Sequence, residues 1–70
     1  MSINLALADC ANNCLRDGAT AIISLKSGVV LVGQLERVGG TDLGTRHMKT
    51  PTGWITFLAE EVAAVEAKRD

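Results

Sequence analysis

Two apolar runs on either side of Lys26-Ser27-Gly28 constrain this chain most. Both runs lie within Thr20 to Val38 and are rich in β-branched residues, and such runs around a short polar turn with a glycine predict a β-hairpin. In the second run Val29, Leu31, Gly33 and Leu35 fall on one face at a period of two, and Val30, Val32, Gln34 and Glu36 fall on the other. A glycine in mid-strand usually marks a sharp bend, so Gly33 predicts a strongly bent hairpin that starts a compact β-barrel.

The length of 70 residues predicts a single domain, and a domain this small is marginally stable alone. Hydrophobic residues make up 47% of the chain, but it holds one Trp, one Phe and no Tyr, so we expect an aliphatic core. Such a high apolar fraction in a short chain indicates that part of the apolar surface is buried between subunits.

The formal net charge of -1 counts against strong non-specific binding of nucleic acid, although it leaves room for a local basic patch. No apolar run has the length that spans a bilayer, and the N-terminus lacks a basic segment followed by an apolar one. We therefore expect a cytoplasmic protein without a membrane partner.

The two cysteines, Cys10 and Cys14, are four positions apart, which is not the usual zinc-knuckle spacing, and no second ligand pair follows. On a helix they lie one turn apart on the same face. This pattern favours two small buried core residues, with a redox or metal-binding role as the alternative. We expect neither a metal nor a cofactor.

An amphipathic helix is predicted over residues 3–17, with Ser2 as its N-terminal cap and Gly18 as its stop. Its apolar stripe comprises Ile3, Leu7, Cys10, Ala11, Cys14 and Leu15, and the opposite face holds Asp9, Asn12, Asn13 and Arg16. This stripe is expected to pack on the open end of the barrel, because a short helix depends on tertiary packing.

The rest of the chain predicts three further strands, at Leu43 to Thr50 with a bulge at Gly44, at Trp54 to Leu58 and at Val62 to Glu66. A turn at Pro51-Thr52-Gly53 and a short connector at Ala59-Glu60-Glu61 join them, so the barrel covers residues 20–66 and Ala67 to Asp70 form a fraying tail. A helix over Leu58 to Lys68 is the competing interpretation, because Ala and Glu favour helix.

The segment Leu25-x-x-Gly28 followed by Leu31-x-Gly33-x-Leu35 is similar to the first Sm motif. The segment Phe57 to Val65 keeps the apolar spacing of the second motif, which favours a strand over a helix at Val62 to Val65. Over its whole length the chain resembles the Sm-like family, which includes eukaryotic Sm and LSm proteins and bacterial Hfq. The resemblance implies a mainly β domain over residues 1–70, an N-terminal helix followed by a five-stranded, strongly bent open barrel.

In this family, loop residues line a uridine or adenine pocket around the pore of a ring. The positions that match this pocket here are Gly39, Gly40, Thr41 and Asp42 after the second strand, and Leu58, Ala59 and Glu60 after the fourth. The family has Asp or Asn at Ser27, Asp at Gly39, and Arg-Gly or Lys-His in the connector that reads Leu58-Ala59 here. The chain therefore keeps the residues of the scaffold and differs in the residues that contact the ligand.

A partly open barrel exposes the edges of its outer strands, which are usually protected by Lys, Pro or charge. Trp54 to Leu58 and Val62 to Val65 carry none of these, so we expect them to pair head-to-tail between neighbouring subunits. The resemblance implies a closed homo-oligomeric ring, most often a hexamer or heptamer.

Single-stranded RNA is the ligand that the resemblance implies, and the candidate RNA-binding residues are Arg37, Arg46, His47 and Lys49. The cluster from Arg46 to Lys49 is equally consistent with an exposed strand face, and Trp54 is either a stacking partner or a barrel or interface residue. The alternative function is a non-catalytic oligomeric scaffold that binds a protein partner, which the acidic pair Glu60-Glu61 near the expected pore favours. No Ser-His-acid set or phosphate-binding glycine motif is present, so we do not expect an enzyme.

Overall fold

The computed structural model describes residues 3–37 and 44–69. Their elements are helix α1 (Ile3–Asp17) and strands β1 (Thr20–Leu25), β2 (Val30–Leu35), β3 (Thr45–Thr50), β4 (Gly53–Leu58) and β5 (Val62–Lys68), with a 3-10 turn at Ala59–Glu61. The order of elements is the one predicted, and the competing helix over Leu58 to Lys68 is wrong. The predicted cap at Ser2 and the segment Gly39 to Asp42, predicted to follow the second strand, lie outside the described residues.

The helix buries one face and stops where the sequence predicts. Leu7, Cys10, Ala11 and Cys14 are all buried, whereas Leu15, which the pattern placed on the same stripe, is 66% exposed. Gly18 has a positive φ of 66°, and its N–H donates to the carbonyl of Cys14 at 3.1 Å, which ends the helix. The helix therefore packs on β5, β2 and β1 through a narrower stripe than expected.

The five strands form one antiparallel sheet in the order β4-β3-β2-β1-β5, and the sheet is not closed. Strand β1 lies inside it, because Ile23 pairs with Leu31 of β2 on one side and with Val65 of β5 on the other. The two strands predicted to carry open edges, β4 and β5, are the outer strands of this sheet.

Gly33 is the point at which β2 changes partner. Ala21 of β1 pairs with Gly33, and the next residue, Gln34, pairs with Lys49 of β3. A Cβ on Gly33 would overlap the carbonyl oxygen of Lys49 and lie 3.2 Å from Cγ of Met48. Glycine is therefore required here by the close approach of the β3 backbone, as expected for a bend in mid-strand.

The observed strands differ from the prediction at the start of β3, in the position of the register shift and at the end of β5. Gly44 precedes β3 and does not form a bulge within it; the register shift lies instead between Ser24 and Leu25, opposite β5. Strand β5 also continues beyond Glu66, since Ala67 pairs with Ala21 in the segment predicted to fray. Beyond the strand, Arg69 Nη2 lies 2.9 Å from Asp17 Oδ2 and so holds the C-terminal segment against the end of α1.

The core lies between the helix and the concave face of the sheet. Among the described residues it is mainly aliphatic, as predicted, with one phenylalanine and the sulfur atoms of one methionine and two cysteines, and its buried members include Leu7, Ile23, Leu35, Met48 and Phe57. On β2, Leu31 and Leu35 are turned toward this core and Val30 and Val32 are exposed, as predicted. Val29, predicted on the inner face, instead precedes the strand and is exposed.

Substitution of Gly33 by Ala is expected to lower the free energy of unfolding by about 1–3 kcal/mol, because the added methyl group overpacks the contact with Lys49. Urea denaturation followed by circular dichroism measures this loss. Val32→Ala is the matched control, because Val32 is 49% exposed on the other face of the same strand. Equal effects of the two substitutions would contradict the close approach at Gly33.

Candidate functional site

A cleft of about 410 Å³ lies where the start of α1 meets the beginning of β3 and the connector after β4. Its lining residues are Ile3, Asn4, Gly44, Thr45, Leu58, Ala59 and Glu60. The cleft therefore collects residues from the start of α1, from the beginning of β3 and from the connector that follows β4.

One backbone hydrogen bond holds the two loops together at this cleft. The N–H of Ala59 donates to the carbonyl of Gly44 at 2.9 Å, and the side chain of Ala59 is buried. The bond continues the β3–β4 ladder, in which Thr45 is paired with Leu58, by one step beyond the strands. The connector is thus fixed against the start of β3.

The structure brings together three of the seven predicted pocket positions, Leu58, Ala59 and Glu60. The other four, Gly39, Gly40, Thr41 and Asp42, lie outside the described residues. Sequence reasoning missed Asn4 and Thr45, which also line the cleft. The sequence around these two residues does not mark either of them as part of a site. Their position depends on how α1 docks on the sheet, which decides the end of the helix that reaches the cleft.

Among the described residues, the wall of the cleft is chemically mixed and contains no aromatic ring. Asn4 and Thr45 contribute polar side chains, and Glu60 is the one charged residue among those that line the cleft. Without an aromatic ring, the walls offer no platform on which a base stacks.

Arg46 lies beside this cleft and is buried. It is only 2% exposed, and its Nη2 donates to the backbone carbonyl of Asn4 at 3.4 Å. Its Nε is buried without a hydrogen-bond partner. Burial lowers the pKa of Arg46, but a guanidinium remains protonated in proteins, so the side chain is a buried cation.

The predicted basic cluster is divided between the two faces of β3. Arg46 and Met48 point into the core, whereas His47 and Lys49 are exposed on the outer face. The sequence offered two interpretations of the cluster, an RNA-binding patch and an exposed strand face. Arg46 belongs to neither, because it lies on the buried face of β3. The difference follows from strand alternation, which places neighbours on opposite faces, together with the helix that covers the inner one.

The outer face of β3 and β4 carries the remaining polar candidates. His47 Nδ1 and Thr56 Oγ1 are hydrogen-bonded across the two strands at 2.9 Å. Lys49 is paired with Trp54, whose ring is 60% exposed and so is not part of the core. Arg37 is exposed at a different cavity of about 300 Å³, which also includes Cys14 and Glu36 in its wall.

Cys10 and Cys14 are free thiols, 3% and 6% exposed, in the interface between α1 and the sheet. Burial raises the pKa of Cys10 to about 12, and the neighbouring Cys14 contributes to the increase. The Cys10 Sγ donates weakly to the carbonyl of Glu66 at 3.8 Å. Residues 3–37 and 44–69 contain no group of three or more metal-ligating side chains.

Comparison of the chain with protein-family models, with curated proteins and with solved structures gives no match. Helix α1, the sole α-helix of the described segments, is too short and too polar to cross a membrane. The functional interpretation therefore depends on the chemistry of the site.

The raised pKa of Cys10 makes stability depend on alkaline pH. The unfolded chain loses this thiol proton near the ordinary value of 9.0, whereas the folded chain keeps it until about pH 12. Stability from this group is complete below pH 9 and falls as the pH rises toward 12, because only the unfolded state gains from ionisation.

Urea midpoints measured across this alkaline range test the effect. Wild-type protein is expected to lose stability more steeply than Cys10→Ala, in which the titrating group is absent. Parallel pH profiles for the two proteins would show that Cys10 is not protected by burial.

Proposed function

We propose that this chain is a non-catalytic, Sm-like protein that assembles into a homo-oligomeric ring and binds single-stranded RNA at the cleft. One observation carries the proposal. Leu58, Ala59 and Glu60, at positions that match the nucleotide pocket of the Sm-like family, line one cleft with the start of β3 and the start of α1. A strand order that leaves β4 and β5 at the edges of a bent sheet supports the same fold.

The edges of the sheet support assembly. Strand β4 presents the exposed side chains of Trp54 and Leu58 and contains neither a charged residue nor proline. The first four residues of β5, Val62 to Val65, are likewise uncharged. Pairing of β4 in one subunit with β5 in the next is a heterologous contact, which closes into a ring when the rotation allows. A hexamer or heptamer is the assembly that the family resemblance implies.

A ring places one cleft per subunit around a common axis, so that a single strand of RNA contacts several clefts in turn. Repetition raises the overall affinity of sites that are individually weak, because each later contact is intramolecular. This suits a chain with a net charge of -1, whose individual sites do not have a strongly basic surface.

The second candidate is an oligomeric scaffold that binds a protein partner and not RNA. The observation that favours it is the position of Glu60 in the cleft wall, next to the exposed Glu61. Two carboxylates at this end of each subunit repel a phosphate backbone.

Ring assembly is tested by substitutions that remove an edge N–H. The hydrogen bond from Ala59 to Gly44 and the strand registers turn the N–H groups of Thr56 in β4 and Val65 in β5 away from β3 and β1. Thr56→Pro and Val65→Pro are expected to give monomers or aggregates by light scattering, because proline cannot donate to a strand ladder. Thr56→Ser and Val65→Ile keep the N–H and serve as controls that are expected to assemble. An unchanged oligomer in both proline variants would refute pairing through these edges.

RNA binding is tested by the fluorescence anisotropy of labelled oligo-U and oligo-A over a range of salt concentrations. We expect binding at micromolar protein or tighter, with affinity that falls steeply as salt rises. Glu60→Gln is expected to tighten binding by about threefold, because it removes a carboxylate from the cleft wall.

The matched control is Glu36→Gln, which removes an exposed carboxylate at the other cavity. Equal effects of the two substitutions would mean that RNA does not occupy the cleft. An intact oligomer that fails to bind either oligonucleotide even at low salt would support the scaffold.

A further inference from the structure

Two features, one in the cleft and one next to it, each favour a negative charge. The first is the N-terminal end of α1, a helix of 15 residues that has no acidic residue in its first turn. The N-terminal end of a helix carries a positive partial charge. Here Ile3 and Asn4, in the first turn of α1, line the cleft. The second feature is the buried guanidinium of Arg46, which reaches the same turn through its hydrogen bond to Asn4.

Arg46 lacks the compensation that a buried cation normally has. Within the described part of the chain the one ion pair joins Arg69 and Asp17, so no described carboxylate neutralises Arg46. Its Nη2 contact at 3.4 Å is long, and its Nε has no partner. A buried charge is expensive unless it is paired and fully hydrogen-bonded.

Strand alternation offers no structural reason for a cation at this position. The inward-facing neighbour along β3 is Met48, and the cross-strand partner of Arg46 is the buried Phe57. An apolar side chain of similar volume would continue this surface without a charge. The positive charge is thus retained beside the cleft at a cost that an anion in the cleft would offset.

We propose that the cleft binds a phosphate group at the N-terminus of α1, with Arg46 as its buried countercharge. The inference rests on the proposed RNA-binding function and specifies that the backbone of the strand, and not a base, is recognised. It explains how the chain manages without the cation of the family's connector, where Leu58-Ala59 stands here. The positive charge comes instead from Arg46 of β3, which contacts Asn4 at the edge of the cleft.

Two other properties of the cleft agree with recognition of phosphate. Its lining residues within 3–37 and 44–69 include no aromatic ring, so they offer a base no stacking energy. Glu60 opposes the anion, but its side chain is exposed, so solvent screens its charge more than the buried charge of Arg46. The balance between these two groups sets the affinity.

Inorganic phosphate is the first probe, because its binding does not depend on RNA. Thermal unfolding of the assembled wild-type protein is measured in phosphate and in chloride at equal ionic strength. We expect phosphate to raise the melting temperature by about 4 °C or more, as for a ligand in tenfold excess over its dissociation constant. Arg46→Met is expected to lose at least half of this shift, and Arg46→Lys to retain more of it.

Glu60→Gln provides a variant that leaves the core untouched, and it is expected to enlarge the phosphate-dependent shift. It keeps the proposal testable if Arg46→Met does not fold. Equal shifts in wild type and Arg46→Met, or no enlargement in Glu60→Gln relative to Glu36→Gln, would overturn the proposal.

Oligonucleotides of equal length, one of oligo-U and one built of abasic units, distinguish phosphate from base. Wild type is expected to bind the two within about threefold of each other, and Arg46→Met to bind both at least tenfold more weakly. A loss of more than tenfold for the abasic strand would show that a base is recognised and would refute the inference alone. A phosphate shift without binding of either strand would instead refute RNA binding and leave the phosphate site in place.

Discussion

The architecture depends on the contact between Gly33 and the backbone of Lys49. Because Gly33 has no side chain, β3 approaches β2 at the residue where β2 stops pairing with β1. One strand thereby joins two parts of the sheet, and the concave face that results is closed by α1. A larger residue at this position would separate the β3–β4 hairpin from the rest of the core.

The same bend positions the cleft. Once β3 is held against β2, the β3–β4 ladder brings Gly44 opposite Ala59, and the helix that covers the core delivers Asn4 to the same place. Arg46 is buried by the same packing, because it is the inward residue of β3 closest to the start of the helix. The cleft and the burial of Arg46 next to it are therefore consequences of the fold.

The sequence was most informative where short-range patterns decide the structure. The alternation around Gly33, the turn at Gly28 and the stop at Gly18 are local, and the elements they predict are observed. The residues that tertiary packing decides were harder to predict. Leu15 fits the apolar stripe but is exposed, and Arg46 belongs to the basic cluster from Arg46 to Lys49 but is buried. Sequence spacing does not show which face of a helix or strand the tertiary packing covers. The convergence of Asn4 with Glu60, 56 positions later, has no local signal at all.

Backbone amide chemical shifts of the isotopically labelled protein, recorded during titration with oligo-U, test the central claim most directly. RNA in the cleft predicts that the largest changes fall on residues such as Asn4, Thr45, Ala59 and Glu60, from three separate segments of the chain. Changes confined to His47, Lys49 and Trp54 would place the ligand on the outer face of the sheet and contradict the assignment of the cleft.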